Sequence, residues 1–321
     1  MIFPYDIDRK GREYMVNNIF ALDIGGSKTV CGIVTTDGTI IKTYRFDYPN
    51  GTTIDQILNL ISDCRNRLAE YECIACCAAI PGLAEIETGV WKYSPFSGIS
   101  DIPMAEHLKK ITGLPSFVDN DVNLSALAEA YYGVCRNTKD FLWVTVSNGI
   151  GGGLVLNGQL YRGSGMCAGE IGHLIVEEHD GLPCGCGRRG CLEAMAAGAS
   201  FAPRYERLTG VRKTAGEIAL LAKNGDEAAV KIFADTGYYI GKAAAIAVNL
   251  LNLETVVIGG GVSNSFEVLK PSLEKAFYEH VFLQANPNAK VIKTEVGYYA
   301  AFIGCAVLAA IRTERDGKYD K

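Results

Sequence analysis

The sequence predicts an α/β fold of two domains, each of which opens with a β-hairpin bent at glycines. Two similar hairpin patterns predict it, one over residues 19–34 and one over residues 142–156. Strand and helix patterns alternate after each hairpin, and a chain of 321 residues, 48% of them apolar, suffices for two hydrophobic cores. The two halves of the chain are therefore predicted to duplicate one architecture. Their sequences are not duplicated, because the two hairpins share only their glycines and apolar flanks.

The first half of the chain begins with a hairpin whose two apolar strands flank the glycine bend 25–29. A helix follows, because apolar residues recur there at the spacing of one helix face. The next apolar run is a buried strand that stops at the breaker Pro81-Gly82. These elements are the strands 19–24 and 30–34, the helix 54–69 and the strand 73–80.

The second half repeats the alternation of strands and helices. A long apolar helix there leads to a strand that ends in Gly259-Gly260-Gly261. The predicted elements are the strands 116–119, 142–146, 154–156 and 255–258 and the helices 122–132, 235–251 and 299–313. We predict an N-terminal arm (1–18), a smaller domain (19–118 with the C-terminal helix, about 299–321) and a larger domain (119–298).

Composition and charge disfavour several functional classes. The net charge of −5 does not indicate a surface for nucleic acid, and no segment has the apolar length of a membrane span or a secretory leader. Eleven cysteines, an odd number, are a poor disulfide framework. Cys73, Cys76 and Cys77 contain a C-x-x-C spacing, but their apolar strand favours core cysteines over a redox pair. These features predict a cytoplasmic protein that binds neither DNA nor membranes.

The two glycine bends are candidate phosphate-binding loops. Glycine lets backbone N–H groups approach a phosphate closely, and an adjacent carboxylate can hold the accompanying metal ion. An ordinary hairpin turn is the alternative for either bend alone. The chain has no Walker A sequence and no G-x-G-x-x-G between a strand and a helix, which disfavours P-loop and Rossmann folds. The candidates are Asp23, Gly25, Gly26, Ser27, Lys28 and Thr29 in the first bend and residues 147–153 in the second.

A cysteine cluster marks a candidate metal site. Cys184, Cys186 and Cys191 follow a C-x-C-x4-C spacing in a glycine-rich turn, which brings three thiolates around one soft cation. Tetrahedral zinc needs a fourth ligand, and His173 and His179 are the nearest candidates. Four protein ligands would close the site, so its role would be structural. Three free thiols on a flexible loop are the less favoured alternative.

Taken together, these motifs resemble the ROK family of bacterial sugar kinases and sugar-responsive repressors, from Ile19 to about Ala310. Two of these motifs are specific to the family, namely the cysteine spacing and the segment Gly169-Glu-Ile-Gly-His173. The matching segments are 23–28 (DIGGSK), 81–82 (PG), 118–123 (VDNDVN), 148–153 (NGIGGG), 168–173 (AGEIGH), 184–193 (CGCGRRGCLE) and 257–261 (VIGGG).

The resemblance implies an actin-like, ribonuclease H-like ATPase fold of two domains, with ATP and sugar meeting in the cleft between the lobes. It also implies ATP-dependent phosphorylation of a hexose, by the family's habit at the 6-hydroxyl of glucose or of a related aldohexose or amino sugar. Magnesium with ATP, a structural zinc ion and a homodimer belong to the same expectation.

The resemblance further assigns roles to individual residues. Asp121 would be the general base, and its place at the start of a helix suits a carboxylate that accepts a hydroxyl proton. Helix N-capping is the alternative for Asp119 and Asp121, and it is favoured for Asp119. His173, and not His179, would complete the zinc site. The sugar ligands would be Asn120, Glu170, His173 and Glu193. The ATP ligands would be Asp23 (with magnesium), Gly25, Gly26, Ser27, Lys28, Thr29, Asn148, Gly149, Gly151 and Gly152, with Gly260 and Gly261 at the adenosine.

Glu170 and Glu193 would ordinarily be solvated surface acids. Their flanking glycines and the nearby metal ligands favour a binding role, because carboxylates hold paired sugar hydroxyls well. We expect the zinc turn to hold both glutamates in place without contacting the phosphates.

Two departures from the family pattern concern the ligand sites. Ser147-Asn148 stands where kinases of the family usually have Gly-Thr, which keeps the backbone cradle but removes a hydroxyl. Phe96-Ser97-Gly98-Ile99 replaces the usual sugar-loop sequence, so the identity of the sugar stays open.

Two other functions compete with that of a kinase. A sugar-sensing repressor would need a DNA-binding domain, and the 18 residues before Ile19 are expected to be too few for a winged helix. A non-catalytic sugar-binding protein is compatible with the Ser147-Asn148 departure.

Overall fold

The computed structural model describes residues 5–7, 13–49, 51–94 and 98–316. The chain divides into two compact units, which we call unit 1 and unit 2. Unit 1 comprises Met1–Arg136, Gly163–Cys167 and Tyr299–Lys321, and unit 2 comprises Asn137–Arg162 and Ala168–Tyr298.

Strands and helices alternate along the described residues. The strands are β1 (Tyr5–Ile7), β2 (Glu13–Met15), β3 (Asn18–Ile24), β4 (Lys28–Thr35), β5 (Ile40–Asp47), β6 (Ala75–Ile80), β7 (Leu83–Glu85), β8 (Val90–Tyr93), β9 (Ser100–Ile102), β10 (Ser116–Asn120), β11 (Phe141–Val146), β12 (Ile150–Leu156), β13 (Gln159–Tyr161), β14 (Thr255–Gly259) and β15 (Lys290–Lys293). The helices are α1 (Ile54–Arg67), α2 (Met104–Thr112), α3 (Asp121–Tyr132), α4 (Leu192–Ala196), α5 (Phe201–Thr209), α6 (Ala215–Lys223), α7 (Glu227–Leu251), α8 (Phe266–His280) and α9 (Ala300–Asp316). Short 3₁₀ helices lie at Ile171–His173, Gly198–Ser200, Gly261–Ser265 and Gly297–Tyr299.

The main sheet of unit 1 has the strand order β10-β6-β3-β4-β5. β3, β4 and β5 form an antiparallel meander, and β6 and β10 add parallel to β3. Phe20 and Leu22 of β3 pack with Ile61 of α1 in a buried core. Helix α9 packs against β3, β6 and α3, and its Gly304 lies so close to α3 that a Cβ atom would overlap Leu124 O. Helices therefore cover the sheet that carries the first glycine bend.

The sheet of unit 2 has the strand order β13-β12-β11-β14-β15. β11, β12 and β13 form the antiparallel meander, and β14 and β15 add parallel to β11. The core includes Val144, Ile258 and Phe233. Gly237 and Gly241 let α7 approach α8 closely, because a Cβ atom on either would overlap the backbone of α8.

The two sheets repeat one topology. In each, the first strand of the hairpin lies at the centre, the next two strands extend to one side, and two parallel strands extend to the other. The duplication that the two hairpin patterns predicted is therefore present in the fold.

The boundary between the units differs from the predicted one. We predicted it between residues 118 and 119, but it lies between Arg136 and Asn137. The reason is that β10 pairs with β6 and α3 packs against α9, so both elements belong to unit 1. The units are also nearly equal in length, so the predicted difference between a smaller and a larger domain is not observed.

Some predicted elements have different bounds. Helix α7 begins at Glu227 and not at 235, because the side chain of Asp226 caps it by accepting from Ala229 N at 2.9 Å. Strand β12 begins at Ile150 and not at 154, because its glycines pair with β11. The predicted N-terminal arm contains β1 and β2, which pair antiparallel.

The cysteines are free thiols. Cys76 and Cys77 are fully buried in β6, which confirms their interpretation as core residues, and Cys73 is half-buried just before the strand. Among the described residues, no helix combines the length and the apolar character needed to cross a membrane.

Candidate active site

The first glycine bend closes the β3–β4 hairpin and is held by a tyrosine that follows β5. Gly25 N donates to Lys28 O at 2.8 Å, and Tyr48 N donates to Ser27 O at 2.9 Å. The Tyr48 hydroxyl donates to Gly25 O at 2.7 Å and lies 2.9 Å from the hydroxyl of Thr29. Sequence reasoning missed Tyr48, because no motif near it signals a contact with the bend. These bonds order the bend that is a candidate for binding phosphate.

Asp23 lies near the end of β3, directly before this bend, where it pairs with Val30 and Ala79 in the sheet. Burial raises the pKa of its carboxyl to about 6, and the positive charge of Lys28 opposes the rise. Carboxylate oxygens are the ligands that magnesium prefers in proteins. Asp23 therefore suits the predicted place beside a metal-bound phosphate.

Asn120 caps helix α3 and holds the carboxylate of Asp121. Its side-chain oxygen accepts from Val122 N at 2.9 Å and from Asn123 N at 3.2 Å. Its amide donates to Gly82 O at 2.9 Å and to Asp121 Oδ1 at 3.1 Å. These four bonds use the hydrogen-bonding capacity of one side-chain amide. Asn120 thereby fixes Asp121 relative to the turn after β6.

This cap corrects our interpretation of Asp119. The favoured reading made Asp119 the N-cap, but strand β10 continues through Asn120, and Asn120 supplies the cap. Asp119 is buried and accepts from Asn120 N at 2.8 Å and from Asn123 Nδ2 at 3.3 Å. Its carboxylate therefore braces the junction between strand and helix.

The half-buried carboxyl of Asp121, the first residue of α3, has a strongly perturbed pKa. Burial and, after it, the negative charge of Asp23 raise this pKa to about 7, whereas hydrogen bonds from Val122 N and Asn120 oppose the rise. A carboxyl with a pKa near neutrality is suited to accept a proton.

The second glycine bend is shorter than predicted. Ser147 N donates to Gly149 O at 2.9 Å, and residues 151–153 lie within β12. A Cβ atom on Gly152 would come within 2.5 Å of Gly169 O, and one on Gly169 would overlap Gly152 O. Gly152 therefore allows two backbone segments to pack, which is a reason for its glycine besides the predicted phosphate contact.

Ser147, the first departure from the family pattern, links this bend to the glycines after β14. Its Oγ accepts from Gly261 N at 3.0 Å. Gly260 has a φ of +79°, which favours glycine, and a Cβ atom there would lie 2.6 Å from Val146 O. The serine hydroxyl thus joins two of the segments that were predicted to bind ATP. The neighbouring Asn148 is exposed.

The second departure lies partly outside the described residues, which include neither Phe96 nor Ser97. Gly98 has a φ of +62°, a left-handed conformation. Ile99 is buried, and its carbonyl accepts from Ser94 N at 2.9 Å.

The two candidate sugar-binding glutamates of unit 2 have different surroundings. Glu193, in the first turn of α4, accepts from Ile150 N through Oε2 at 3.0 Å. Glu170 precedes the 3₁₀ helix that contains His173, and its Oε2 lies 3.9 Å from His173 Nε2. We predicted that the zinc turn holds both glutamates in place without contacting the phosphates. The structure adds a bond from Glu193 to Ile150, the residue after the second bend.

Four candidate metal ligands converge in unit 2. One ligand atom each from His173, Cys184, Cys186 and Cys191 lies within 4.8 Å of the others. Cys184 Sγ is 3.8 Å from His173 Nδ1, and Cys186 Sγ is 3.6 Å from Cys191 Sγ. A tetrahedron with metal–sulfur bonds of about 2.3 Å separates its ligands by about 3.8 Å. The four residues therefore fit a soft, four-coordinate cation.

The geometry distinguishes the two histidines. His179 lies outside the cluster, and its backbone N donates to Glu177 Oε1 at 3.1 Å. His173 turns Nδ1 towards Cys184, so its Nε2 is on the side of Glu170 and stays available to another partner.

Close backbone packing shapes the cysteine turn. Gly190 lies against Glu177, and a Cβ atom on Gly190 would overlap Glu177 O. The adjoining segment is tied to α7, because Lys242 Nζ donates to Val176 O at 2.8 Å. The turn is therefore anchored to the core of unit 2 by bonds other than those of a metal.

The fold and the site define a duplicated α/β protein with a carboxylate pair beside one glycine bend and a metal-ligand cluster near another. A family model described as the ROK family matches residues 19–312. A glucokinase of Halalkalibacterium halodurans is 30% identical over 303 residues, which cover 88% of this chain and 92% of that protein. The DNA-binding transcriptional dual regulator NagC of Escherichia coli is 31% identical over 257 residues, which cover 77% of this chain and 63% of the regulator.

Solved structures agree with the family match. A ROK family glucokinase from Streptomyces griseus, in complex with glucose and AMPPNP, superimposes with a TM-score of 0.82 at 27% identity, covering 91% of this chain and 98% of that one. The chain belongs to the ROK family and has the actin-like fold of its sugar kinases. The family and the fold class predicted from the sequence are confirmed.

Proposed function

We propose that this protein is an ATP-dependent hexose kinase that phosphorylates the 6-hydroxyl of glucose or of a related aldohexose or amino sugar. The observation that carries the proposal is Asp121, whose carboxyl has a pKa near 7 and is held at the start of α3 beside Asp23. A sugar sensor has no need of such a base, whereas a kinase does. The glucokinase relatives support the choice of substrate.

Asp121 would act as the general base. Its carboxylate accepts the proton of the sugar hydroxyl as the hydroxyl oxygen bonds to the γ-phosphorus, and the bond from that phosphorus to the bridging oxygen breaks to release ADP. Asn120 Nδ2 and Val122 N both donate to Oδ1 of Asp121, at 3.1 and 3.0 Å. We therefore assign proton transfer to Oδ2.

The glycine bends would hold the polyphosphate through backbone N–H groups. Magnesium bound with ATP supplies charge neutralisation at the β- and γ-phosphates, and the carboxylate of Asp23 is the oxygen ligand that suits it. Gly152 remains a candidate for this assignment, because its packing against Gly169 explains only why it lacks a side chain. The assigned residues are Gly25, Gly26, Ser27, Lys28 and Thr29 in unit 1, and Asn148, Gly149 and Gly151 with Gly260 and Gly261 at the adenosine in unit 2.

The sugar hydroxyls would be bound by Asn120, Glu170, His173 and Glu193. Carboxylate oxygens accept from paired hydroxyls, and His173, with Nδ1 on the metal, can offer Nε2. Asn120 already makes four hydrogen bonds, so a sugar contact there would exchange one of them.

We assign zinc to the cluster of His173, Cys184, Cys186 and Cys191, with a structural role. Three sulfur ligands and one nitrogen ligand, with no open position, are typical of structural zinc sites. The backbone N–H and then the side chain of Arg188 lower the pKa of the Cys186 thiol to about 6, which favours the thiolate that zinc binds.

An ATP-consumption assay with a panel of hexoses tests the proposal. We expect sugar-dependent release of ADP with glucose or a related aldohexose or amino sugar. The 6-deoxy analogue of the active sugar is the matched control, since it should bind but cannot accept the phosphoryl group. If no hexose raises ADP release above the sugar-free rate, the kinase proposal fails in favour of a sugar-responsive regulator or a non-catalytic sugar-binding protein.

The pKa of Asp121 predicts an acid limb in the pH profile of the kinase. A base must be ionised to act, so kcat/KM should fall as the pH drops below about 7. Asp23→Asn should shift this limb to lower pH, because it removes the neighbouring negative charge that raises the pKa of Asp121. Initial rates measured from about pH 5 to about pH 9 check both expectations, and a profile that stays flat below pH 7 would contradict the assignment.

We also propose that the kinase is a cytoplasmic homodimer. Its cysteines are free, as expected of a reducing compartment that also supplies ATP. Leu250 at the end of α7 and Phe282 after α8 are 78% and 60% exposed, and a second copy of the chain is one partner that would cover such apolar side chains.

A further inference from the structure

The carboxylate of Glu193 is bonded to the second glycine bend. Oε2 accepts from Ile150 N at 3.0 Å, and this is the one hydrogen bond of the carboxylate within the described residues. Ile150 is buried and directly follows the bend 147–149. A backbone N–H at such a place needs an acceptor, and Glu193 provides it from a position 43 residues later in the chain.

The fit between the carboxylate and the bend is close. A Cβ atom on Gly149 would come within 2.6 Å of Glu193 Oε2 and within 3.5 Å of Glu193 Cδ. Residue 149 must therefore lack a side chain if the carboxylate is to reach Ile150 N.

The chain just after α4 contacts the bend a second time. Ala197 N donates to Glu193 O at 3.0 Å, and Gly198 N donates to Ser147 O at 2.7 Å. Helix α4 begins directly after Cys191, one of the four clustered metal ligands. The cysteine turn, α4 and the bend therefore form one continuous bonded segment of unit 2.

We propose that Glu193 is a positioning residue for the nucleotide bend and that it transmits sugar binding to that bend. The transmission rests on the proposed kinase function, which makes Glu193 a sugar ligand. Oε2 holds Ile150 N, and Oε1 is left for a sugar hydroxyl. A hydroxyl bonded to Oε1 fixes the side chain, so less conformational freedom is lost when the bend binds phosphate. The coupling is reciprocal, so nucleotide strengthens sugar binding by the same factor.

Nucleotide binding measured without sugar separates positioning from sugar ligation. The probe is the β,γ-imido analogue of ATP with magnesium, titrated calorimetrically. Glu193→Ala should weaken its binding about 10-fold, the effect of losing a hydrogen bond to a charged group. Glu193→Gln keeps the length of the side chain and one acceptor oxygen, so it should retain most of the affinity. Glu178→Ala is the matched control, because Glu178 is an exposed glutamate of unit 2 that belongs to neither ligand site, and its nucleotide affinity should equal that of the unsubstituted protein.

Gly149→Ala tests the same contact from the other side. Its methyl group would collide with Glu193 Oε2, so the single variant should bind the analogue more weakly. In a Glu193→Ala background the collision partner is gone, and the second substitution should cost little. Additive losses in the double variant, or an unchanged nucleotide affinity in Glu193→Ala, would overturn the positioning role.

Titration of the analogue in the presence of glucose, or of the sugar that the hexose panel identifies, tests the transmission. The sugar should strengthen nucleotide binding in the unsubstituted protein and not in Glu193→Ala. Equal strengthening in both would overturn the transmission. The sugar-free titrations do not depend on hexose phosphorylation, so a failure of the kinase proposal is recognised separately in the hexose panel.

Discussion

Replacing Asp121 with asparagine is expected to lower kcat by about 10²-fold or more, because a positioned general base contributes that much to a rate. Asn120 Nδ2 and Val122 N bond to Oδ1 in the native protein, and the oxygen of an asparagine can accept both bonds. Sugar binding should therefore survive in Asp121→Asn. Steady-state kinetics and a calorimetric sugar titration check the two halves of this expectation, and near-normal turnover in the folded variant would exclude Asp121 as the base.

The stability of the same variant provides a control for folding. The pKa of Asp121 in the folded protein is about 7, above its ordinary value of 3.8. Folding therefore favours the protonated carboxyl, and the stability that this carboxyl contributes is lost as the pH rises through about 7. Asparagine cannot ionise, so Asp121→Asn should unfold at a higher temperature than the native protein above pH 7. This advantage should vanish below pH 3.8, where the carboxyl is protonated in both states. Thermal unfolding curves at several pH values check it, and a destabilised variant would mean that lost turnover reports misfolding.

Replacing Cys186 with serine is expected to abolish zinc binding and to weaken sugar binding at least about 10-fold. A bound cation offsets the repulsion among three thiolates on a glycine-rich turn and the entropy of ordering that loop. Without the metal, the segment that leads into α4 at Cys191 keeps its backbone bonds but loses one of its restraints, so we expect Glu193 to be held less firmly. Because Glu193 and Gly198 also bond to the second bend, we expect the affinity for the ATP analogue to fall as well.

Metal analysis of the purified protein is the direct measurement, with about one zinc ion expected per chain. Cys167→Ser is the matched control, because Cys167 is also exposed but lies outside the cluster, and this variant should keep its zinc. A native protein without zinc, or a metal-free Cys186→Ser variant with unchanged sugar affinity, would show that the cysteine turn has another role.

Local patterns in the sequence were enough to predict the parts of the fold that depend on local chemistry. Apolar strands around glycines predicted both hairpins, because glycine at a bend and alternating apolar residues act over a few positions. The spacing of Cys184, Cys186 and Cys191 predicted a ligand cluster for the same reason. Of the two candidate histidines, the structure places His173 in this cluster, as the family resemblance implied.

The contacts that the sequence did not reveal join residues far apart in the chain. Tyr48 reaches Gly25 across 23 positions, and Glu193 reaches Ile150 across 43. A glycine run has several possible causes, and the packing of Gly152 against Gly169 is visible only in three dimensions. The N-cap of α3 was assigned one residue too early, because asparagine and aspartate are similarly favoured as caps.

Helix α9 has a consequence for the order in which the chain folds during synthesis. Cys305 of α9 donates to Leu22 O of β3 at 3.5 Å, and 283 positions separate the two residues along the chain. At about 5–20 residues per second, a ribosome needs roughly 15–60 s to cover that interval. Unit 2, whose residues lie between 137 and 298, is fully synthesised before unit 1 receives α9. During that time one apolar side of β3 and β6 lacks its covering helix, so this surface stays open to non-native contacts until the last stage of translation.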